Sequence, residues 1–158
     1  MNIDISRFAS QLDKIASETS SYIRTTAPRI AANVALKAFR QNFQDEGFFS
    51  HPWRQVLRRT SGTKAYRYNA IHHPARLTRR ILTGDSGDLG RSLSAQYHTS
   101  SAIIFSDKVY ACVHNQGLRA GRGKGFTMPR RQFMGDDPAL DSLIIDALTR
   151  KYSQLINK

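Results

Sequence analysis

The sequence is poor in cysteine, in long apolar stretches and in acidic residues. Cys112 is its only cysteine, so a disulfide within the chain is excluded, and this count suits a reducing compartment. No stretch approaches the roughly 20 consecutive apolar residues that a membrane helix needs, and residues 1–7 lack the apolar core of a secretory signal. We therefore expect a protein that is made in the cytoplasm and does not contact a membrane.

The length of 158 residues is typical of one domain, and the sequence predicts a single domain over 1–158. Composition and pattern divide this domain into four consecutive regions. They are a helical region (1–47), a basic linker with short helices (48–92), a β-rich core with a glycine-rich basic loop (93–135) and a C-terminal helix (136–158).

Basic residues outnumber acidic residues by 24 to 12, and the excess lies in the middle of the chain. Residues 1–50 and 136–158 together are neutral, whereas residues 51–91 carry +7 and residues 118–131 carry +5. Such an excess favours an acidic partner, which can be nucleic acid, anionic lipid or an acidic protein surface. The second segment contains no acid, and its five cations are the predicted contact residues: Arg119, Arg122, Lys124, Arg130 and Arg131.

Apolar residues at helical spacing predict two helices in the first region. The first extends over about 4–24, and its stripe is Ile5, Phe8, Leu12, Ile15, Thr19 and Tyr22. The second begins near Pro28 and ends near Gly47, with a stripe of Ala31, Val34, Ala35, Ala38, Phe39 and Phe43. The pattern leaves open whether the chain between Thr25 and Pro28 separates two helices or kinks one long helix.

Trp53 with Val56 and Leu57 is typical of a short helix that docks on a core, whereas residues 58–74 are expected to form an exposed basic loop. Alternation over 93–105 predicts a β-hairpin, and 126–134 is expected to return as a further strand. Asp137 as N-cap and Pro138 at the first position begin a final helix whose stripe is Leu140, Ile144, Ala147, Leu148, Tyr152 and Leu155. The predicted fold class is α+β, with helices at both ends around a small, mainly antiparallel sheet.

Two short motifs are compatible with catalysis or metal binding, but a structural role explains each better. Gly84-Asp85-Ser86-Gly87 is similar to a serine-protease nucleophile segment, yet the chain is too short for the two barrels of such enzymes, so Asp85 or Ser86 is expected to cap a turn. Cys112 and His114 fall short of the four ligands of a structural zinc site, so we expect a buried cysteine and a hydrogen-bonded histidine. No enzyme activity, metal or cofactor is therefore predicted.

Gly121-Arg122-Gly123-Lys124-Gly125 places two cations among three glycines. Backbone N–H groups in such a loop can cradle phosphates, but the glycine spacing matches neither a Walker loop nor a dinucleotide fingerprint. Contact with DNA backbone, contact with an acidic protein surface and simple exposure to solvent all remain open.

Two segments resemble the phage virion morphogenesis (tail completion) family of Mu-like and related contractile-tailed phages. They are Tyr110-Ala-Cys-Val-His114-Asn-Gln-Gly117 and Met128-Pro129-Arg-Arg-Gln-Phe133-Met-Gly135. The family's other features also occur in the expected order: a helical N-terminus, Trp53, a basic stretch, Ile81-Leu82-Thr83-Gly84, a hairpin and a final helix. The chain departs from the family at Asn115-Gln116, where a glutamine followed by an aromatic is common.

The resemblance implies a structural virion protein that acts in tail completion or head-tail joining. The resemblance also implies a closed homo-oligomeric ring at the tail end or neck, with six subunits as one candidate number, and phage tail or neck proteins as partners. The motif residues are expected to serve folding and interfaces: Tyr110, His114, Gly117, Pro129, Phe133 and Gly135. The alternative is a sequence-nonspecific DNA-binding protein of phage or prophage origin, which the charge of +12 favours but the loop location of the cations does not.

Overall fold

The computed structural model describes residues 5–157 and confirms the α+β class. The α-helices are α1 (Ser6–Ser21), α2 (Ala27–Asp45), α3 (Lys64–His72), α4 (Ala75–Thr78), α5 (Asp88–Arg91), α6 (Ala111–Gln116) and α7 (Pro138–Ile156). The strands are β1 (Gly47–Phe48), β2 (His51–Pro52), β3 (Leu93–His98), β4 (Ser101–Ser106), β5 (Arg119–Ala120) and β6 (Phe126–Thr127). No helix among residues 5–157 combines the length and apolar character that crossing a bilayer requires.

The two N-terminal helices are joined by a π-helical turn, Tyr22–Thr26, and the helix continues without a break. Pro28 has no N–H, so it cannot donate to the carbonyl of Arg24, its partner in a regular helix. That carbonyl instead accepts the backbone N–H of Ser100 at 2.9 Å. The wide turn and this replacement bond therefore let the proline sit within one long helix, which settles the question that the sequence left open.

The strands form three separate two-stranded pairs, β1 with β2, β3 with β4 and β5 with β6. The predicted hairpin over 93–105 is confirmed by β3 and β4. The strand predicted over 126–134 is limited to β6, because the following segment bonds to side chains and to α6 instead of to a neighbouring strand.

The expectation of an exposed basic loop over 58–74 is wrong. A 3-10 turn occupies Leu57–Arg59, and α3 follows with Thr63 as its N-cap, whose hydroxyl accepts the N–H of Tyr66 at 3.0 Å. Thr63 is a residue type that favours this position, and it was the signal in the sequence for this helix. Trp53 is buried as expected, but residues 53–56 form no helix.

The chain divides into two compact units. Among the described residues, the terminal unit contains 5–35, Ala95–Ile104 and 138–157, and the central unit contains Leu36–Ser94 and Phe105–Asp137. The core of the central unit includes three side chains that are almost fully buried: Ile81, Leu93 and Phe133.

The three predicted helix stripes differ in how much of each is covered. The stripe of α2 is buried or half-buried throughout, and that of α7 is buried at Leu140 and half-buried beyond it. The stripe of the first helix is covered only at its C-terminal end, where Thr19 bonds the hydroxyl of Tyr152 at 3.0 Å and Tyr22 donates to the carbonyl of Leu148 at 2.8 Å. Residues 5–17 are all exposed.

Candidate functional site

The side chain of Asn115, at the end of α6, makes three hydrogen bonds to the second family segment. Its oxygen accepts the backbone N–H groups of Phe133 at 2.8 Å and Met134 at 3.1 Å, and its amide donates to the carbonyl of Met134 at 3.1 Å. An asparagine side chain can mimic a neighbouring strand in this way, because it offers one acceptor and one donor group side by side. Asn115 thus joins the two family segments.

Phe133 lies at the centre of an aromatic cluster in the central unit. Its ring centroid is 5.0 Å from that of Phe43, which in turn lies 5.6 Å from Trp53 in an edge-on arrangement. Asn42 donates to the carbonyl of Phe133 at 3.0 Å, and the indole N–H of Trp53 donates to the carbonyl of Gln132 at 2.6 Å. The segment is therefore fixed by both apolar packing and satisfied backbone groups.

Two of the motif glycines occupy positions that a side chain would disturb. Gly117 ends α6 with φ +73°, and a Cβ there would lie 2.9 Å from the backbone nitrogen and the Cβ of Arg130. Gly135 has φ +145°, and a Cβ there would lie 2.5 Å from the side-chain nitrogen of Gln132. Pro129 is half-buried in the irregular segment between them. These residues set the path of the chain, which agrees with a structural role.

Tyr110 and His114 line a cavity of about 400 Å³ in the central unit, together with Arg58, Arg131 and the 81–89 segment. The Nδ1 atom of His114 is buried and has no hydrogen-bond partner among residues 5–157, although the backbone carbonyl of His114 accepts the N–H of Arg131 at 2.8 Å. Burial and, second, the charge of Arg131 lower the pKa of His114 below its ordinary value of 6.5. The imidazole is therefore held neutral in the fold at neutral pH.

Two expectations from the sequence, for Cys112 and for His114, are wrong in this region. Cys112 is exposed, because it lies on the outer side of the short helix α6. His114 is not hydrogen-bonded through Nδ1, since no donor or acceptor of the cavity wall reaches it. In the turn that Asp85 or Ser86 was predicted to cap, Asp85 pairs with Arg79 and Ser86 bonds the carboxylate of Asp88, the first residue of α5, while Gly87 in the left-handed conformation is the N-cap of that helix.

The glycine-rich basic loop is the tip of the hairpin formed by β5 and β6, which we call the basic hairpin (residues 119–127). Arg119 lies opposite Thr127 and Ala120 opposite Phe126, and all three loop glycines have positive φ. Arg122 and Lys124 are exposed, and no ion pair within residues 5–157 involves either of them. The hairpin therefore presents two unneutralised cations on a loop whose left-handed backbone conformations are ones that glycine readily adopts.

The other three predicted contact residues are engaged with the protein itself. Arg119 donates to the carbonyl of Lys124 and so closes its own hairpin, and Arg130 donates to the side-chain oxygen of Gln132. Arg131 is buried, and its guanidinium donates twice to the carbonyl of Arg54, at 3.1 and 3.2 Å. The structure thus separates Arg131 from the exposed cations that it neighbours in the sequence.

Arginines of the basic linker also bind carbonyl groups, a role that the sequence analysis did not identify. Arg58 donates to the carbonyls of Arg76, Arg79 and Arg80 at 2.7–3.1 Å. Arg59 donates to the carboxylate of Glu46 at 2.6 and 2.9 Å, and this carboxylate also accepts the N–H of Ile81 at 2.7 Å. Part of the positive charge therefore stabilises irregular backbone and is not available to a partner.

Glu46 is the acid on which this arginine network depends. Burial alone raises its pKa, but the hydrogen bonds from Arg59 and Ile81 and the charges of Arg59 and Arg58 outweigh burial, so the pKa lies below 4.5. The carboxylate is thus ionised in the fold at neutral pH, where it neutralises a group of arginines that would otherwise repel one another.

Two curated proteins of Mu-like phages are similar in sequence to this chain. The "Putative capsid assembly protein G" of Escherichia phage Mu is 28% identical over 164 residues, which cover 99% of this chain and 95% of that protein. The "Mu-like prophage FluMu G protein 2" of Haemophilus influenzae is 31% identical over 74 residues, or 47% of this chain and about half (53%) of that protein. No solved structure matches the chain.

The family resemblance seen in the motifs is confirmed over most of the chain. The model of the phage virion morphogenesis family matches residues 4–153, from the first helix through most of α7. This range includes both motif segments and the side chain of Asn115, the clamp that joins them. The chain therefore belongs to the phage virion morphogenesis family.

Proposed function

We propose that this protein is a non-catalytic subunit that completes the phage tail or joins heads to tails, as a closed ring at the tail end or neck. The observation that carries the proposal is that the family's motif residues are buried, closely packed or hydrogen-bonded within the fold. Phe133 is fully buried, Gly117 permits a close backbone contact and the motif backbone is clamped by Asn115. These are the roles of residues that shape an assembly subunit, and the name of the phage Mu relative points to assembly as well.

The basic hairpin is the surface through which we propose that the protein meets an acidic subunit of the tail or neck. Arg122 and Lys124 project from a narrow two-stranded support, so a neighbouring protein can approach them from several sides. An acidic protein partner is favoured over DNA, because a ring that held phosphates tightly would hinder the exit of the genome. Nonspecific DNA binding remains the alternative function, and the exposed pair of cations is the observation that favours it.

The structure permits a sharper charge-reversal test than the sequence alone, because Arg119 holds the hairpin closed and must be left intact. The double variant Arg122→Glu/Lys124→Glu is therefore compared with Lys64→Glu/Arg67→Glu, which makes the same charge change on exposed residues of α3. In a phage that depends on the variant, the hairpin change is expected to leave the fold intact and to let unjoined heads and tails accumulate. Electron microscopy of lysates counts the joined particles.

Several results would argue against this function. Normal infectious particles from the hairpin variant would remove the acidic-partner proposal, and equal loss in both variants would show an effect of net charge alone. Tight binding of wild-type protein to duplex DNA that weakens steeply with salt would favour the DNA alternative. Virions whose tail end and neck contain no density for this chain would refute the ring itself.

A further inference from the structure

The first helix presents, from its N-cap residue Ile5 to Ile15, an apolar ridge that no other part of residues 5–157 covers. The ridge consists of Ile5, Phe8, Leu12 and Ile15, which are exposed by 68%, 62%, 50% and 48%. Their spacing of 3, 4 and 3 residues places them on one narrow stripe of the helix. Four large apolar side chains in one exposed stripe mark an interaction surface.

The fold explains why the ridge is uncovered within its own chain. α7 runs antiparallel to the first helix where Thr19 meets Tyr152 and Tyr22 meets Leu148. α7 ends at Ile156, one turn after Tyr152, so the residues of α1 more than about one turn before Thr19 extend beyond it. The ridge therefore continues a stripe whose other end already packs against a helix.

The terminal unit also contains a shallow apolar groove of about 400 Å³, which we call the alanine groove. Alanines of α2 and of β4 line it together with apolar residues of α7. The residues that define it are Ala27, Ala31, Ala35, Ala102, Ile144 and Leu148. Among the described residues no charged one lines the groove, and the small alanine side chains leave room for large side chains from outside.

We propose that the ridge of one copy inserts into the alanine groove of a neighbouring copy. Large apolar side chains match a groove lined by small ones, as the ridge of one helix packs into the groove of another. Local charge does not oppose a second copy at this face, because α1 carries two basic and two acidic residues and the groove carries none, so the chain's excess of +12 lies elsewhere.

One chain cannot make this contact with itself. Leu12 and Ala31 belong to one continuous helix and are separated along it by about 28 Å, so the ridge cannot fold back onto its own groove. Because the ridge and the groove are different surfaces, each copy donates one and accepts the other, and such head-to-tail contacts close into a ring. The inference rests on the proposed function for ring closure, whereas the contact itself is testable in the purified protein.

Cysteine cross-linking distinguishes this contact from others, with Cys112→Ser as the background because the native thiol is exposed. Leu12→Cys protein and Ala31→Cys protein are oxidised separately and as a mixture at high concentration. The double variant Leu12→Cys/Ala31→Cys is also oxidised in purified phage particles. A disulfide needs Cα atoms within about 7 Å, so any bond between these positions joins two chains. Ser17→Cys, on the exposed face away from the ridge, replaces Leu12→Cys as the matched control.

In the purified protein, the expected result is a disulfide-linked dimer in the mixture and not in either protein alone. In phage particles, the double variant is expected to give a ladder of linked chains that disappears on reduction. Dimers of Leu12→Cys alone at equal yield would show ridge-to-ridge pairing and overturn the proposal. Equal cross-linking by Ser17→Cys would also overturn it, as would particles that contain the chain but show no ladder. Phage particles that do not contain the chain would refute the proposed function. In that case the mixture of purified proteins tests the contact by itself, and the absence of a disulfide-linked dimer in that mixture would overturn the proposal.

Discussion

The side-chain oxygen of Asn115 lies 2.8 Å from the backbone nitrogen of Phe133, and this bond ties α6 to the family's second motif segment. The same oxygen accepts the N–H of Met134, and the amide returns a bond to the carbonyl of Met134. Asn115 is one of the two positions at which the chain departs from the family's common residues near the first motif, yet it carries three contacts of the motif core.

Asn115→Ala is therefore expected to destabilise the protein by about 2 kcal/mol or more, because it leaves two part-buried N–H groups and one carbonyl without a partner. Chemical denaturation measures the free energy of unfolding. Gln116→Ala, at the exposed next position, is the control and is expected to change little. A loss no larger in Asn115→Ala than in this control would show that the clamp is dispensable.

Phe133→Ala is expected to lower the free energy of unfolding by roughly 3–5 kcal/mol, because the ring is fully buried against Phe43. Phe133→Leu keeps much of the buried volume and is expected to cost less. Thermal unfolding followed by circular dichroism compares the two variants. An unchanged melting temperature for Phe133→Ala would mean that this segment is a surface feature and not part of the core.

Gly117 and Gly123 both have positive φ, but only Gly117 is in close contact with the rest of the chain. A Cβ at Gly117 would lie 2.9 Å from the backbone nitrogen of Arg130, whereas a Cβ at Gly123 would have nothing within 4 Å. Gly123→Ala is expected to cost about 1 kcal/mol of conformational strain, and Gly117→Ala clearly more. Equal losses in denaturant titrations would contradict the close contact that the structure shows.

Replacement of Glu46 by glutamine is expected to lower stability at neutral pH and to remove part of the acid sensitivity. The pKa of Glu46 is depressed in the fold, so its ionised form stabilises the native state above the ordinary value of 4.5. That contribution is lost as the pH falls below 4.5 and through the folded pKa. As the pH falls through this range, the free energy of unfolding of the wild type should approach that of Glu46→Gln. A constant difference between the two proteins would refute the depressed pKa of Glu46.

His114 is expected to contribute a second pH dependence, at higher pH. Its pKa is depressed in the fold, so the unfolded chain takes up a proton first as the pH falls below 6.5, and stability is lost over this range. His114→Gln cannot bind that proton, so its free energy of unfolding should vary less between about pH 7.5 and 5.5. Parallel slopes for the two proteins would show that His114 does not titrate differently in the fold.

The sequence by itself determined the elements whose signal is periodic. Helical spacing located α2 and α7 and their buried faces, alternation located the hairpin of β3 and β4, and the order of short motifs identified the family. Periodicity succeeds here because it depends on the geometry of the helix and the strand, which neighbouring residues fix locally. The helix α3 was missed because its apolar residues do not form one buried stripe, and only the cap at Thr63 indicated it.

Only the tertiary structure decided which charges and which apolar faces remain available to a partner. In the sequence Arg131 and Arg122 are equivalent cations, yet Arg131 is buried on the carbonyl of Arg54, 77 residues away, while Arg122 is exposed. A carbonyl that bonds a guanidinium is brought to it by chain folding, so composition cannot show the pairing. The stripe of α1 was likewise visible as apolar, but its exposure depends on where α7 ends beside it.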